Sequence, residues 1–387
     1  MFWGMNVFPL ENRLKQASGP EMMIGPGCRA ICLPGSAHCR ACTRWMLPRF
    51  VRRLLQCVPV GLLYLTVSLI IRAFPVIIAV MWFKNLALFR FTEPFTLTSD
   101  ELGECLEARR FKPCGSLEPV SLGWTAPLGK ETFPLVHASQ GYIMICLMKE
   151  EKILPASVIN ETLAERVEEI ETQQGRPLRR KEKDSLKDEI MQDLLPRAFS
   201  HSRKSYAYLD TRGGWLIVDS ASHKKTDELV SLLRQCAGTL PVVPLSTRER
   251  PASVLSGWLA ENAAPVDITL ESDCELRSPD EDGGVIRCRR HDLTAPEIQN
   301  HLEAGKEVVK LAVTWNDRLS FVLDDAPSVR GLRFLEIVQE EAADVDTSNP
   351  VERFDADFAV MTLELNQFLP RLVALFGGEN TEGGVGR

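Results

Sequence analysis

Cationic side chains recur at helical spacing near the middle of the chain, where they could bind phosphate groups. In chain order they are Arg176, Arg179, Arg180, Lys181, Lys183 and Lys187. Within a helix, those at 176, 180, 183 and 187 form one stripe, because residues three and four apart are neighbours on its surface. Lysine and arginine on a rigid surface neutralise phosphates and release condensed counterions, which gives affinity for nucleic acid without base readout. Interleaved acids at 182, 184 and 188 are equally typical of a solvated helix face, so both interpretations stay open.

A second basic group stands where a predicted strand near 284–289 enters a turn. Its members are Arg287, Arg289, Arg290 and His291. Side chains alternate along a strand, so Arg287 and Arg289 share one face, and Arg290 takes the other if the strand continues that far. A phosphate-binding edge and a strand end made soluble by its charges both fit this pattern.

Residues for enzymatic catalysis form no recognisable motif. The sequence lacks the G-x-x-x-x-G-K-[ST] phosphate loop, the G-x-G-x-x-G turn, the H-E-x-x-H helix and the G-x-S-x-G elbow. The acids at 280–282 run directly into two glycines and indicate a turn. Asp355 and Asp357 stand two residues apart at a predicted helix start and indicate capping. We therefore predict no enzymatic activity, metal or cofactor, and a metal-dependent nuclease is an alternative.

The eleven cysteines divide into two sets. Cys28, Cys32, Cys39 and Cys42 form C-x3-C-x6-C-x2-C, and each pair alone has the spacing of half a zinc site. The gap between the pairs is shorter than zinc-site patterns usually leave, which argues against a zinc finger. The six cysteines beyond residue 81 are scattered singly, which is typical of reduced thiols, so we expect a cytoplasmic protein.

Charge is distributed unevenly along the chain. Residues 1–80 contain nine Lys/Arg and two Asp/Glu, whereas residues 81–387 contain 36 and 50. A nucleic-acid-binding protein often has a basic overall charge, so the acidic balance of residues 81–387 argues mildly against DNA. If this part of the chain binds nucleic acid, its positive charge must be concentrated on one surface.

The segment before residue 81 also contains a strongly apolar run, 54–80. The run is long enough to span a bilayer and follows several arginines, which makes a membrane-anchored protein a second alternative. Arg72, Pro59 and Pro75 interrupt it. Met81 then opens MWFKNLALFRF, a stretch typical of the first strand of a soluble domain. We favour the interpretation that residues 1–80 are an extension outside the fold, created by an early start codon.

The basic stripe needs a helix to hold it, and the sequence predicts two. Apolar residues at helical spacing indicate helices over about 155–173 and about 178–195, with Gly175 and Pro177 between them as stop and start signals. Two helices joined by so short a connection fold back as an antiparallel hairpin. We therefore expect a projecting helical arm with the basic stripe on its returning helix.

Strands and turns dominate the remaining segments. Thr98 or Ser99 can cap a helix, and strands flank the tight turns at Gln140-Gly141 and 212–214. Hairpins with interspersed helices indicate an α+β fold on antiparallel sheets. The predicted organisation is a first α+β region, the helical arm, a second α+β region and a disordered tail, at 81–154, 155–199, 200–376 and 377–387.

Eight stretches of the chain, none of them a chemical motif, are recognisable by their order and spacing between Met81 and about residue 376. They are MWFKNL (81–86), FKPCGS (111–116), KEEKILP (149–155), EKDSLKDEI (182–190), LLPRAFS (194–200), LPVVPLS (240–246), EDGGVIR (281–287) and RFDADF (353–358). On these stretches the chain resembles the RdgC family of bacterial recombination-associated proteins.

The resemblance implies a homodimer closed into a ring around a hole lined by basic residues. It also implies binding of double-stranded DNA without sequence preference, association with the nucleoid, and a restraint on RecA that acts by occupying its DNA. With this implication, Phe199 at the end of the basic segment has two interpretations: most phenylalanines pack into a core, but one on a thin arm could seal a subunit contact or a gate for DNA.

Overall fold

The computed structural model describes residues 82–129, 132–280, 283–343 and 349–380. The expectations for residues 1–80, for the cysteine cluster and apolar run within them, and for the tail beyond residue 380 lie outside the described residues. Within the described ranges, no helix is both long enough and apolar enough to cross a membrane.

The first sheet is antiparallel and has seven strands in the described part of the chain. They are β1 (Ala87–Phe91), β2 (Val120–Thr125), β3 (Val136–Ser139), β4 (Tyr142–Ile153), β5 (Phe199–Asp210), β6 (Trp215–Val218) and β7 (Val242–Pro244). Their order is β2-β4-β5-β6-β1-β7, and β3 pairs with β4. Gln140 and Gly141 join β3 to β4 with φ of 52° and 93°, the positive values that a two-residue hairpin turn requires. The hairpin predicted at these residues is confirmed.

The second sheet has five strands in order β12-β11-β10-β8-β9, and it is also antiparallel. Its strands are β8 (Ile268–Arg277), β9 (Val285–Cys288), β10 (Glu307–Trp315), β11 (Leu319–Asp324) and β12 (Val329–Phe334). Strand β9 therefore forms an edge of this sheet.

Eight α-helices accompany the sheets within the described ranges. They are α1 (Ser99–Glu107), α2 (Ala156–Gln174), α3 (Arg180–Leu194), α4 (His223–Ala237), α5 (Pro251–Ala260), α6 (Pro296–Glu303), α7 (Glu336–Ala343) and α8 (Pro350–Leu375). Thr98 caps α1 as predicted: its hydroxyl accepts from the Glu101 N–H at 3.3 Å, and the Glu101 carboxylate accepts from the Thr98 N–H at 2.8 Å. This reciprocal pair satisfies two amides that the first turn leaves without partners.

The helical arm is inserted between two strands that pair along their whole length. The register of β4 and β5 runs from Tyr142 opposite Asp210 to Ile153 opposite Phe199. Helices α2 and α3 lie between these strands in sequence and contact one another. Gly175 ends α2 with φ of 65°, a left-handed conformation that glycine adopts without strain. Ile159 is the buried residue of α2 and Ile190 that of α3, so the two helices of the predicted hairpin are present, and its projection from the body stays a prediction.

Helix α8 lies between the two sheets and holds their cores together. Its Phe358 contacts Tyr208 of the first sheet with ring centroids 6.1 Å apart, and its Phe368 contacts Phe321 of the second sheet at 4.8 Å. Helices α1 and α4 cover the opposite face of the first sheet, where Leu102 and Leu229 are fully buried. Burial of each such side chain contributes roughly 1.5–3 kcal/mol to folding. The predicted α+β class on antiparallel sheets is confirmed, and the ring-shaped dimer stays a prediction.

The segments on either side of the arm share the first sheet. Strands β1 to β4 come from the region predicted at 81–154, and β5 to β7 come from the region predicted at 200–376, except that β5 begins one residue earlier, at Phe199 of the predicted arm. The chain also continues in contact beyond residue 376, because the Arg248 N–H donates to the Gly378 carbonyl at 3.0 Å and the Asn380 N–H to the Ser246 carbonyl at 2.9 Å. Residues 377–380, assigned to the tail from sequence, are thus hydrogen-bonded to the body.

Candidate nucleic-acid interface

The basic segment of the arm is only partly helical. Helix α3 begins at Arg180, and Arg179 is its N-cap residue in an extended conformation. Arg176 therefore lies in the connection that follows Gly175. The sequence predicted one helical stripe from 176 to 187, and this is wrong for its first member. Arg180, Lys183 and Lys187 remain at helical spacing on α3.

Two cations of the basic segment 176–187 are held by acids of the arm. Arg176 binds Glu182 with two hydrogen bonds, Nη2 to Oε1 at 2.7 Å and Nη1 to Oε2 at 3.1 Å. The Glu182 carboxylate also accepts from the Arg179 N–H at 2.7 Å. These hydrogen bonds lower the pKa of Glu182 to about 2, and those from Arg176 have the largest effect. Glu182 is therefore ionised at neutral pH. Lys183 Nζ lies 3.3 Å from the Glu171 carboxylate of α2.

The other cations of this basic segment are exposed. Arg179, Arg180, Lys181 and Lys187 form no ion pair with any residue in the described ranges. Their charges are available to an anionic partner, whereas those of Arg176 and Lys183 are locally compensated.

The second basic group lies on edge strand β9 and the turn after it. Arg287 stands opposite Glu275 of β8, and its Nε donates to Oε2 at 2.9 Å, while Lys310 Nζ donates to the same oxygen at 3.1 Å. Burial acts to raise the pKa of Glu275, but the two cations outweigh it and the pKa is lowered. Arg287 is thus tied to a carboxylate in the way that Arg176 is.

The strand does not continue to Arg290. It ends at Cys288, and Arg290 has φ of 51°, a left-handed conformation that is uncommon for a residue with a side chain. Its N–H donates to the Asp273 carboxylate at 2.8 Å, and the His291 N–H donates to the Ser272 carbonyl at 3.0 Å. The predicted alternation of faces therefore stops before Arg290.

Arg289, Arg290 and His291 are exposed after this bend. Within the described ranges, neither arginine forms an ion pair, and no hydrogen bond or ion pair joins this group to the arm. The His291 ring nitrogen Nδ1 contacts the Asp292 carbonyl oxygen at 2.9 Å. The two basic groups are separate surfaces: one on the insertion between β4 and β5, the other at the edge of the second sheet.

Phe199 is the first residue of β5 and is 86% exposed. The interpretation that it packs into the core is therefore wrong for the isolated subunit. Its cross-strand neighbour Ile153 is 52% exposed, so two large apolar side chains stand together at the base of the arm. A role in a subunit contact or gate stays a prediction, which this exposure favours.

A third basic group was not predicted from the sequence. Its members line a cavity of about 320 Å³ beside β4, β5 and α4, and are Lys149, His201, Arg203, Lys204 and Lys225. They are dispersed over more than seventy residues of sequence, so only strand pairing brings them together. Two features of the sequence could have indicated this group. His201 and Arg203 alternate along one predicted strand, and two lysines stand at the start of the next predicted helix.

Asp355 and Asp357 each have a partner in the structure. Helix α8 begins at Pro350, with Asn349 as its cap, so the predicted capping role of Asp355 and Asp357 is wrong. Asp355 lies 3.2 Å from His137 Nε2, and buried Asp357 lies 3.3 Å from Arg353 Nε. Burial lowers the pKa of His137 despite the carboxylate.

Across the described ranges, no three His, Cys, Asp or Glu side chains form a group that could hold a metal ion. Asp280 lies in the predicted turn, where its carbonyl accepts from the Gly283 N–H at 2.9 Å. Residues 281 and 282 lie outside the described ranges.

Comparison with known proteins decides the family. A family model described as "Putative exonuclease, RdgC" matches residues 81–379. The chain belongs to the RdgC family. The resemblance read from its sequence is thereby confirmed, and residues 1–80 lie outside the RdgC match.

Curated RdgC relatives match over nearly their whole length. Recombination-associated protein RdgC of Tolumonas auensis is 49% identical over 302 residues, which cover 78% of this chain and 100% of the relative. The protein of the same name from Aeromonas hydrophila is 49% identical over 299 residues, covering 77% and 99%. That from Pseudomonas aeruginosa is 46% identical over 306 residues, covering 79% and 100%. The relatives' names associate RdgC with recombination and name no enzymatic activity, whereas the family description names an exonuclease.

Proposed function

We propose that this RdgC-family chain binds double-stranded DNA without sequence preference and modulates homologous recombination. It acts as a closed homodimer that encircles DNA and limits the access of RecA. The family supports the association with recombination. The observation that carries DNA binding is a set of exposed cations that form no ion pair within the described residues, in a chain with a net charge of −7. They are Arg179, Arg180, Lys187, Arg289 and Arg290.

These side chains suit the phosphate backbone better than base edges. They stand on an exposed helix face and on a bend at a sheet edge, and they can neutralise phosphates along a duplex of any sequence. Arg176, Lys183 and Arg287 belong to the same proposed surfaces, but each is paired with an acid and contributes less to DNA binding while that pair persists. His291 also belongs to the second surface.

The proposed homodimer uses the exposed pair of apolar side chains at the base of the arm. Phe199 and Ile153 lie on neighbouring strands and offer the apolar centre that a protein interface needs. A contact there, together with a second contact elsewhere, closes two subunits into a ring. The acids in excess then lie away from the DNA path.

Binding of the full chain to several unrelated duplexes over a range of salt tests the proposal, with the oligomeric state measured by sedimentation in the same buffer. We expect a dimer whose affinity falls steeply with salt and is alike for every duplex. RecA-promoted strand exchange should slow when the DNA is first saturated with the chain. A marked preference for one sequence, or a monomer at micromolar concentration, contradicts the proposal.

A nuclease is the second candidate, because the family description names an exonuclease. Magnesium-dependent shortening of labelled duplex by the purified chain would support it. If the chain binds the duplex in magnesium and the duplex stays intact, the result supports DNA binding without nuclease activity.

A further inference from the structure

The third basic group surrounds a cavity of about 320 Å³ between the outer halves of β4 and β5 and the start of α4. Two carboxylates also line it, those of Glu151 and Glu228, and one ammonium, Lys149 Nζ, binds both at 3.0 and 2.8 Å. Arg203 and Lys225 are exposed and form no ion pair within the described ranges, whereas strand alternation places the Lys204 side chain on the other face of β5, near Gly129. The cavity therefore carries excess positive charge.

The start of α4 adds to that charge in an unusual way. Its first turn is His223, Lys224 and Lys225, with no acid among them, and the side chain of the N-cap residue Ser222 makes no capping hydrogen bond. A helix N-terminus is the positive end of the helix dipole, where acids are favourable and cations are not. An anion in the neighbouring cavity offsets this repulsion.

The cavity lies beside the arm. Arg203 is four residues along β5 from Phe199, or about 13 Å at roughly 3.3 Å per residue. A duplex that follows the cations of α3 towards the body passes the outer ends of β4 and β5, where His201 and Arg203 lie on one face of the strand. The position favours a polymer of phosphates over an isolated anion.

We propose that this cavity binds a phosphodiester group of DNA, and that the DNA path continues from the arm onto the first sheet. The inference rests on the DNA binding proposed above. Arg203 and Lys225 donate to the phosphate oxygens. Lys149 binds both carboxylates and offsets one of their two negative charges, which reduces their repulsion of the phosphate. The site reads no base, in keeping with sequence-independent binding.

The first test measures the salt dependence of DNA binding for Arg203→Ala and Lys225→Ala. Each is expected to lower the slope of log affinity against log salt by about 0.9, so that between about 50 and 200 mM salt each loses about 3.5-fold less affinity than the parent. Arg333→Ala is the matched control, because Arg333 is exposed on the edge strand β12 and forms no ion pair in the described ranges. Parental slopes for both cavity variants overturn the inference, as does an equal loss in all three variants, which would indicate net charge alone. Either result leaves the parent's DNA binding intact.

The second test is lysine acetylation of the full chain, followed by mass spectrometry. Duplex DNA should protect Lys225 relative to Lys306, which immediately precedes β10, and inorganic phosphate at equal ionic strength should not. Protection by inorganic phosphate but not by DNA would assign the cavity to a free anion and overturn its assignment to DNA. An unprotected Lys225 in a sample that has bound DNA also overturns it. Absence of DNA binding by the parent removes the proposed function and this inference together.

Discussion

Removing an acid from the arm should strengthen DNA binding. Glu182 holds Arg176 through two hydrogen bonds of 2.7 and 3.1 Å, and its pKa of about 2 keeps it ionised wherever binding is measured. Glu182→Gln removes the charge that compensates Arg176. The glutamine oxygen can still accept from the Arg179 N–H, which Glu182 does at 2.7 Å, so the start of α3 should persist.

The expected magnitude follows from one additional phosphate contact. Freeing Arg176 should steepen the slope of log affinity against log salt by about 0.9, which increases the loss of affinity between about 50 and 200 mM salt about 3.5-fold. Affinity should rise at the lower salt concentration. The substitution should lower the free energy of unfolding only slightly, because both side chains of the pair are well exposed, at 47% and 38%.

Fluorescence anisotropy with several unrelated duplexes measures both quantities, and circular dichroism checks the fold. Glu165→Gln is the matched control, since Glu165 is an exposed acid of α2 without an ion pair in the described ranges. Arg176→Ala should leave the slope close to that of the parent. The reasoning is refuted if Glu182→Gln keeps the parental slope, or if Arg176→Ala lowers it by a full contact, because Arg176 would then reach DNA despite its partner.

Three further predictions concern assembly and stability. Phe199→Ser should weaken the dimer in sedimentation equilibrium, and in samples dilute enough to be monomeric it should leave the urea midpoint of unfolding unchanged, because the side chain is 86% exposed in the subunit. Phe358→Ala should lower the free energy of unfolding by about 3–5 kcal/mol, since this 2% exposed ring joins α8 to the first sheet. Asp267→Asn should cost about 2 kcal/mol at neutral pH, because Arg371 binds that carboxylate twice at 2.7 Å. The hydrogen bonds from Arg371 are the largest of several causes that lower the pKa of Asp267 to about 2. The ion pair therefore stabilises the folded state fully above the unfolded pKa of Asp267, and this stabilisation is lost as the pH falls towards 2. Urea unfolding of Asp267→Asn should show a smaller loss of stability across that acid window than the parent.

The features that could be predicted from sequence depend on neighbouring residues. The capping box at Thr98 and the turn at Gln140-Gly141 are each decided within four residues, and both are present in the structure. The arm was also predictable, because a glycine and a proline separate two periodic segments. The start of α8 could have been found in the same way, since Asn349-Pro350 is a favourable cap followed by a favourable first residue.

The features that could not be predicted depend on partners distant in sequence. Spacing alone placed Arg176 on the stripe, whereas its position depends on where α3 begins and on its bonds to Glu182. The bend at Arg290 needs Asp273 of the neighbouring strand to accept its N–H. The third basic group exists only because β4 and β5 pair in register and α4 packs beside them.

The pairing of β4 with β5 makes the arm a replaceable module. Ile153 and Phe199 are directly opposite one another, so the 45 residues between them form, topologically, the loop of a long hairpin. Lengthening, shortening or exchanging that loop would change no register in the first sheet, and closure entropy rises only slowly with loop length. Relatives can therefore vary the reach of the arm without redesigning the body. A chimaera in which a short turn or another protein's helical hairpin joins Ile153 to Phe199 would retain the body's fold.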